Sequence, residues 1–183
     1  MMKDISDEDM PRVDVFTDSI NAMNWHSACL FAICTLKRVM SVWDREVKKK
    51  YIIYGDYVVG LRHKISKSVL GEYLTFLESN LELWGIKEKV ANPDILELWV
   101  ALTDSDLELS TLKLSPIASW ILIAVYELMC GVEKIENNNL QFVKSLARGA
   151  MIFEEWGAFE KFLSEVKADF INHPLYEKVQ MKI

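Results

Sequence analysis

Glycine and proline are scarce, with 7 Gly and 4 Pro in 183 residues. Strand-and-turn architectures need such residues at every reversal, so their scarcity argues against an all-β fold. Cysteine is scarcer still. Cys29, Cys34 and Cys130 make an odd set, each within apolar sequence. Cys29 and Cys34 are five residues apart, which puts them on different faces of a helix. Small buried core residues in a reducing compartment are expected, not a disulfide framework. Long apolar runs are missing as well. The most apolar stretch, Pro116 to Met129, already contains Glu127, and a membrane span needs about 20 apolar residues. The start of the chain lacks the basic-then-apolar order of a secretory signal. It carries Asp4, Asp7, Glu8, Asp9, Asp14 and Asp18 against Lys3 and Arg12. Residues 1–18 are therefore expected to form a flexible acidic lead, and the protein to be cytoplasmic with no membrane partner.

Cations are in deficit. Lys and Arg number 21 against 27 Asp and Glu, for a net charge of −6. Phosphate recognition needs clustered Lys and Arg. The only such clusters, Lys48-Lys49-Lys50 and Arg62-His63-Lys64, are short and read as solvated helix ends. No direct nucleic-acid partner is expected.

Catalytic and cofactor signatures are missing too. There is no His-Glu-x-x-His, no pair of Cys-x-x-Cys motifs and no Glu followed three residues later by His, so no metal is expected. His26, His63 and His173 fall in separate segments. His26 reads as a histidine at a helix interface, with a general base as the alternative. His173, before Pro174, reads as a turn or cap residue. Phosphate-binding glycine loops and a Gly-x-Ser-x-Gly elbow are absent. No catalytic residue and no cofactor are expected.

What the chain does have is apolar content of 51% and a length suited to one domain. At this size folding buries roughly 70% of the unfolded surface. The apolar residues recur at helical spacing. A first helix starts at Asn24 and carries Trp25, Ala28, Cys29, Ala32, Ile33, Leu36, Val39, Met40, Val42, Trp43 and Val47. Lys48 to Lys50 stand where cations favour a helix C-terminus. Tyr51 to Tyr54 is β-prone but short, and Gly55-Asp56 marks a turn. The spacing of Tyr57, Leu61, Ile65 and Val69 predicts a second helix over 56–70. Gly71 then breaks or bends the chain before a third over 72–84 that Gly85 stops. Asn92-Pro93 and Ser115-Pro116 are two further helix starts. The second opens a helix over 116–130 that is apolar almost all round, and Gly131 is expected to stop it. Later helices are predicted over 140–156, 158–171 and 175–180. The fold class expected is all-α: residues 19–183 form a single-domain bundle of about seven or eight helices around a central apolar helix, 116–130. Of the tryptophans, Trp25, Trp84, Trp120 and Trp156 fall on apolar stripes and are expected in the core. Trp43 and Trp99 are not so assigned.

The order of features resembles the YjaG-like family of uncharacterised all-helical bacterial proteins. The residues that carry the resemblance are Trp25-His26-Ser27-Ala28-Cys29-Leu30, Gly55-Asp56, Ser115-Pro116-Ile117-Ala118 with Glu127-Leu128, Lys144-Ser145, and His173-Pro174 with Glu177 and Gln180. It covers about residues 20 to 180, and Gly85 to Leu107 is longer than the family pattern. It implies a helical fold, brings no catalytic residues with it, and suggests a housekeeping protein with a small ligand.

The residues themselves favour a different expectation. Charge is concentrated in the N-terminal lead and between Asp94 and Glu108, where Trp99 precedes an acidic run. Aromatic anchors rimmed by charge typify protein interfaces, and acidic patches steer association with basic clefts. Asp94, Glu97, Trp99, Asp104, Asp106 and Glu108 are the candidate partner-binding residues. The expectation is a non-enzymatic immunity or antitoxin protein that neutralises a basic, nuclease-type bacterial toxin by direct binding. A His26-dependent enzyme is the third alternative. Nothing in the sequence specifies an oligomeric state.

Overall fold

A computed structural model describes Ile20 and residues 23–55, 62–81, 90–106, 112–133 and 156–181. The described residues form six helices and one antiparallel hairpin. In chain order these are α1 (Trp25–Glu46), β1 (Tyr51–Gly55), β2 (Arg62–Ser66), α2 (Val69–Asn80), α3 (Pro93–Asp106), α4 (Pro116–Glu133), α5 (Trp156–Ile171) and α6 (Tyr176–Gln180). The acidic lead, the helix expected over 140–156, Trp84 and Glu108 lie outside the described residues.

The helix starts follow local chemistry. The Asn24 side chain accepts the Ser27 amide at 2.9 Å. Asn92 Oδ1 accepts the amides of Asp94 and Ile95 at 3.0 and 3.2 Å, and Ser115 Oγ accepts that of Ala118 at 3.2 Å. Each contact satisfies amides that the first turn leaves without an intrahelical partner. Pro93 and Pro116 sit at first helical positions, where a missing N–H costs nothing.

The centre of the fold is α1, not α4 as the apolar run over 116–130 suggests. Every residue of α1 from Ser27 to Leu36 is buried, and α1 packs against α2, α4, α5 and α6. Its small residues Ser27, Ala28, Cys29 and Ala32 let neighbours close around it. The two hydroxyls in that stretch are satisfied: Thr35 Oγ1 donates to the Phe31 carbonyl at 2.8 Å, and Ser27 Oγ accepts Gln180 Nε2 at 3.2 Å. Asn24 Nδ2 donates to the Val179 carbonyl at 2.9 Å, fastening α6 across the start of α1. Edge-on rings continue that seam, Phe31 to Phe170 at 5.6 Å and Phe170 to Tyr176 at 5.0 Å. Helix α4 is also deeply buried, from Ile121 to Val125 and at Leu128, Met129 and Val132. It runs through Gly131, which is buried within the helix, to Glu133. Gly131 therefore does not stop it.

Over Arg62–Ser66 the helix expected for 56–70 is replaced by β2, and 56–61 lie outside the described residues. Tyr51 pairs with Ser66, Ile52 with Ile65, Ile53 with Lys64, Tyr54 with His63 and Gly55 with Arg62. Burial alternates along β1, with Ile52 and Tyr54 inside and Ile53 outside, and Ile65 is the inward residue of β2. The four-residue spacing of Ile65 and Val69 fits a helix equally well. The partner strand decides against it, because β1 offers Arg62–Ser66 a complete ladder. The all-α expectation is corrected to a mostly helical fold with a small hairpin. Gly71 does not break α2, which runs from Val69 to Asn80.

The tryptophans are redistributed. Trp43 is among the largest fully buried side chains, and its Nε1 donates to the Lys67 carbonyl at 2.8 Å. Trp25 and Trp120 are only partly buried. Trp43 joins the end of α1 to the end of the hairpin, so Trp43→Ala removes both a core ring and that bond. It is expected to cost about 3–5 kcal/mol in chemical denaturation, with the hairpin amides losing hydrogen-exchange protection.

Candidate functional site

Helix α3 presents the acidic candidates. Ile95, Leu98 and Ala101 point into the core. The opposite face leaves two large apolar side chains exposed, Leu96 at 43% and Val100 at 41%, and Asp94 is exposed at the start of the helix. Leu96 and Val100 are four residues apart and so lie one above the other. Asp94 stands in the first turn, where a carboxylate is favoured by the helix dipole. The Thr103 hydroxyl is turned onto its own helix, donating to the carbonyls of Val100 and Trp99 at 2.8 and 3.2 Å.

Glu97 is engaged within the fold. Its Oε1 accepts the Tyr54 hydroxyl at 2.5 Å and is paired with His63 Nδ1. The rings of Tyr54 and His63 are stacked at 5.1 Å with planes 8° apart. Burial, the Glu97 hydrogen bond and the charges of Glu97 and Asp94 all push the Tyr54 phenol well above its usual range. Tyr54 is thus a permanent donor, and Glu97 is the acceptor that clamps the hairpin to α3. Trp99 is half-buried and stacked on Tyr126 of α4 at 4.3 Å and 9°. Of the six candidates, Asp94 is therefore exposed, Glu97 is half-committed to the hairpin, and Trp99 is bound into the α3–α4 seam. Asp104 and Asp106 lie in the last turn of α3, with side chains outside the described ones, as is all of Glu108.

Two polar clusters on the α1–α5 side escaped the sequence reading. The Arg38 guanidinium donates from Nη2 to Asp169 Oδ1 at 3.1 Å and from Nη1 to Glu165 Oε2 at 2.7 Å, and its Nε also meets Asp169. Glu78 of α2 meets Lys37 Nζ at 2.7 Å through one oxygen and His173 Nε2 at 2.9 Å through the other. His173 Nδ1 accepts the Leu175 amide at 3.1 Å. Nδ1 is therefore the unprotonated nitrogen and Nε2 the donor, so neither is left for proton abstraction from a substrate. His173 does serve the turn before α6. No sequence signal announces these contacts, because Arg38 and Asp169 are 131 positions apart and Glu78 and His173 are 95 apart.

The cysteines are buried at 29 and 34 and half-buried at 130. Burial pushes the Cys29 thiol up. Burial, followed by the nearby charges of Asp169 and Glu78, pushes the Cys34 thiol up to about 12. Reactive thiols need the opposite, a cationic setting that stabilises the thiolate. His26 lies edge-on to Trp25 at 4.9 Å and is half-buried. Among the described residues no group of three His, Cys, Asp or Glu side chains is placed to hold a metal, and no helix is long and apolar enough to cross a membrane. No protein-family model, no curated protein and no solved structure matches the chain.

The Glu78 cluster carries a pH signature. Burial pushes its carboxyl up, but the hydrogen bonds from Lys37 and His173 and the charge of Lys37 outweigh burial and hold it below its usual value of 4.5. The stabilisation is complete above that unfolded value and is lost as pH falls through the lower folded one. Glu78→Gln is expected to cost about 1 kcal/mol at neutral pH in urea melts, with the difference from the parent chain closing in acid. A gap that is constant between neutral and acid pH contradicts this assignment.

Proposed function

We propose that the protein is a non-enzymatic binding protein, an immunity or antitoxin protein that neutralises a nuclease-type toxin by direct contact. The observation that carries the reading is the outward face of α3. There Leu96 and Val100 are exposed one above the other, the exposed carboxylate of Asp94 stands at the start of the same helix, and the helix is held rigidly from behind. An apolar patch on a helix that opens with a carboxylate suits a partner surface that combines apolar contact with positive charge, as a nuclease cleft does. The rigidity has three sources: Ile95 and Leu98 in the core, Trp99 on Tyr126, and Glu97 on Tyr54 and His63. A preorganised face loses little conformational entropy on binding.

The small-ligand reading suggested by the YjaG-like resemblance has less to draw on. One open groove of about 480 Å³ runs beside Trp43 and Gly71. Its charged pair Lys67 and Asp44 is already joined at 2.9 Å. The His26-dependent enzyme reading draws on His26 alone, which is half-buried and edge-on to Trp25 at 4.9 Å.

Mixing the protein with nuclease-type toxin domains, beginning with any encoded by a neighbouring gene, tests the reading. The expected result is loss of nuclease activity at equimolar ratio and an association rate that falls steeply with salt. Asp94→Lys is expected to slow association about tenfold at a stability cost of about 1 kcal/mol, for reversing a charge that the helix dipole favours, and Glu97→Ala to lower stability by about 1 kcal/mol. A nuclease left fully active by excess protein overturns the proposal.

A further inference from the structure

The two cationic clusters, separate in sequence, meet on the hairpin. Between Val47 and Ser68 the chain carries Lys48, Lys49, Lys50, Arg62, Lys64 and Lys67 against Asp56 alone. The protein is acidic overall, so this is a strong local reversal of charge. Lys64 and Lys50 lie over the Tyr51 ring at 4.0 and 5.4 Å, which holds both ammonium groups on the outer face. Ile53, on that same face, is 58% exposed.

The ladder says where the backbone of β1 points. The Lys67 amide donates to the Lys50 carbonyl at 3.0 Å, so Lys50 and Lys67 form a hydrogen-bonded pair. Antiparallel pairs alternate. With the observed register, Ile52–Ile65 and Tyr54–His63 are then hydrogen-bonded pairs, while Tyr51–Ser66 and Ile53–Lys64 are not. The N–H and C=O groups of Tyr51 and Ile53 therefore point away from β2.

That edge faces a groove of about 320 Å³. Three consecutive residues of β1 line it and no residue of β2 does, so it runs along the edge of β1 that is unpaired among the described residues, and not over a sheet face. Its far wall is the stretch leading into α4, including Lys113 and Leu114, and Lys48 and Lys49 stand at its end. All three lysines are exposed. The carboxylate in the lining, Glu46, is occupied: Oε2 accepts the Ser115 hydroxyl at 2.8 Å, and Oε1 lies 3.5 Å from Arg45 Nε.

We propose that this edge is a second binding site, taking an extended acidic peptide of another protein as a third strand beside β1. An unpaired edge templates strand addition, with main-chain bonds giving affinity and alternate side chains giving selectivity. Lys48, Lys49 and Lys113 select carboxylates, and Ile53 and Leu114 offer apolar contact between them. A second copy of this chain fits poorly, because edge-to-edge pairing opposes lysine clusters of like charge. A nucleic acid matches the charge but not the edge: phosphates accept from the outward N–H groups and leave the outward carbonyls without donors. A peptide strand satisfies both. The site is independent of the α3 face and of the toxin reading.

The test uses the full chain and a fluorescein-labelled seven-residue peptide alternating glutamate with valine. The controls are the same composition interrupted by a central proline, and a short oligothymidylate. The alternating peptide is expected to bind at least about tenfold more tightly than the proline-interrupted one, whose main chain cannot complete the ladder. Ile53→Pro removes an outward N–H that β2 does not use, and is expected to weaken binding about tenfold with the helical fold intact. Lys48→Glu combined with Lys113→Glu is expected to weaken it at least as much. Hydrogen exchange on the unaltered protein keeps the proposal testable if Ile53→Pro fails to fold. Peptide addition should slow the Tyr51 and Ile53 amides, leaving Ile52 and Tyr54 as they were. Equal binding of the two peptides, unchanged exchange at Tyr51 and Ile53, tighter binding of oligothymidylate, or dimerisation through this edge in sedimentation would overturn it.

Discussion

The enclosure of α1 is the constraint on which the rest of the structure depends. Ten consecutive residues from Ser27 to Leu36 are removed from water. A helix buried on every side needs neighbours on every side, and α2, α4, α5 and α6 supply them. The late elements of the chain are recruited to its first helix by specific polar contacts as well as by apolar area. Asn24 reaches Val179, Gln180 reaches Ser27, and Arg38 holds Glu165 and Asp169. The stability of the first helix is therefore inseparable from the docking of the last two.

The hairpin depends on the same helix at one remove. Trp43, near the end of α1, is both a core ring and the donor to the Lys67 carbonyl just after β2. A two-stranded hairpin alone is marginal in water. This one is braced at two points, by Trp43 at its base and by the Tyr54–Glu97–His63 cluster against α3. That bracing leaves the far edge of β1 unpaired among the described residues but well positioned. It also ties Glu97, a carboxylate of the acidic α3 segment, to the cationic hairpin. The molecule thereby carries faces of opposite sign on two elements that share a polar joint.

Much of the helical content was legible because it is written in short-range patterns. The hairpin was not. Tyr51 to Tyr54 reads as β-prone, but Arg62 to Ser66 has an apolar residue, Ile65, that fits a helical stripe through Val69 equally well. Only pairing with β1 distinguishes the two. The candidate site was partly legible. Asp94 was found from charge density and is exposed, yet the same signal could not separate it from Glu97, whose partners Tyr54 and His63 are 43 and 34 positions away. The basic clusters were discounted singly because each is short. Their sum becomes visible only when β1 and β2 lie side by side.

By itself the sequence determined the starts of α1, α3 and α4, because Asn24, Asn92 and Ser115 cap amides only three residues ahead. Such contacts form within one turn whatever the remainder of the chain does. It also determined that a large apolar core would form, since the stripes recur at helical spacing. The tertiary structure alone decided which helix is central. Helix α4 is the more apolar, but the small residues of α1 let more neighbours approach it closely. The tertiary structure alone also decided that the scarce glycines and prolines still leave room for a hairpin, because a strand exists only where a partner satisfies its backbone.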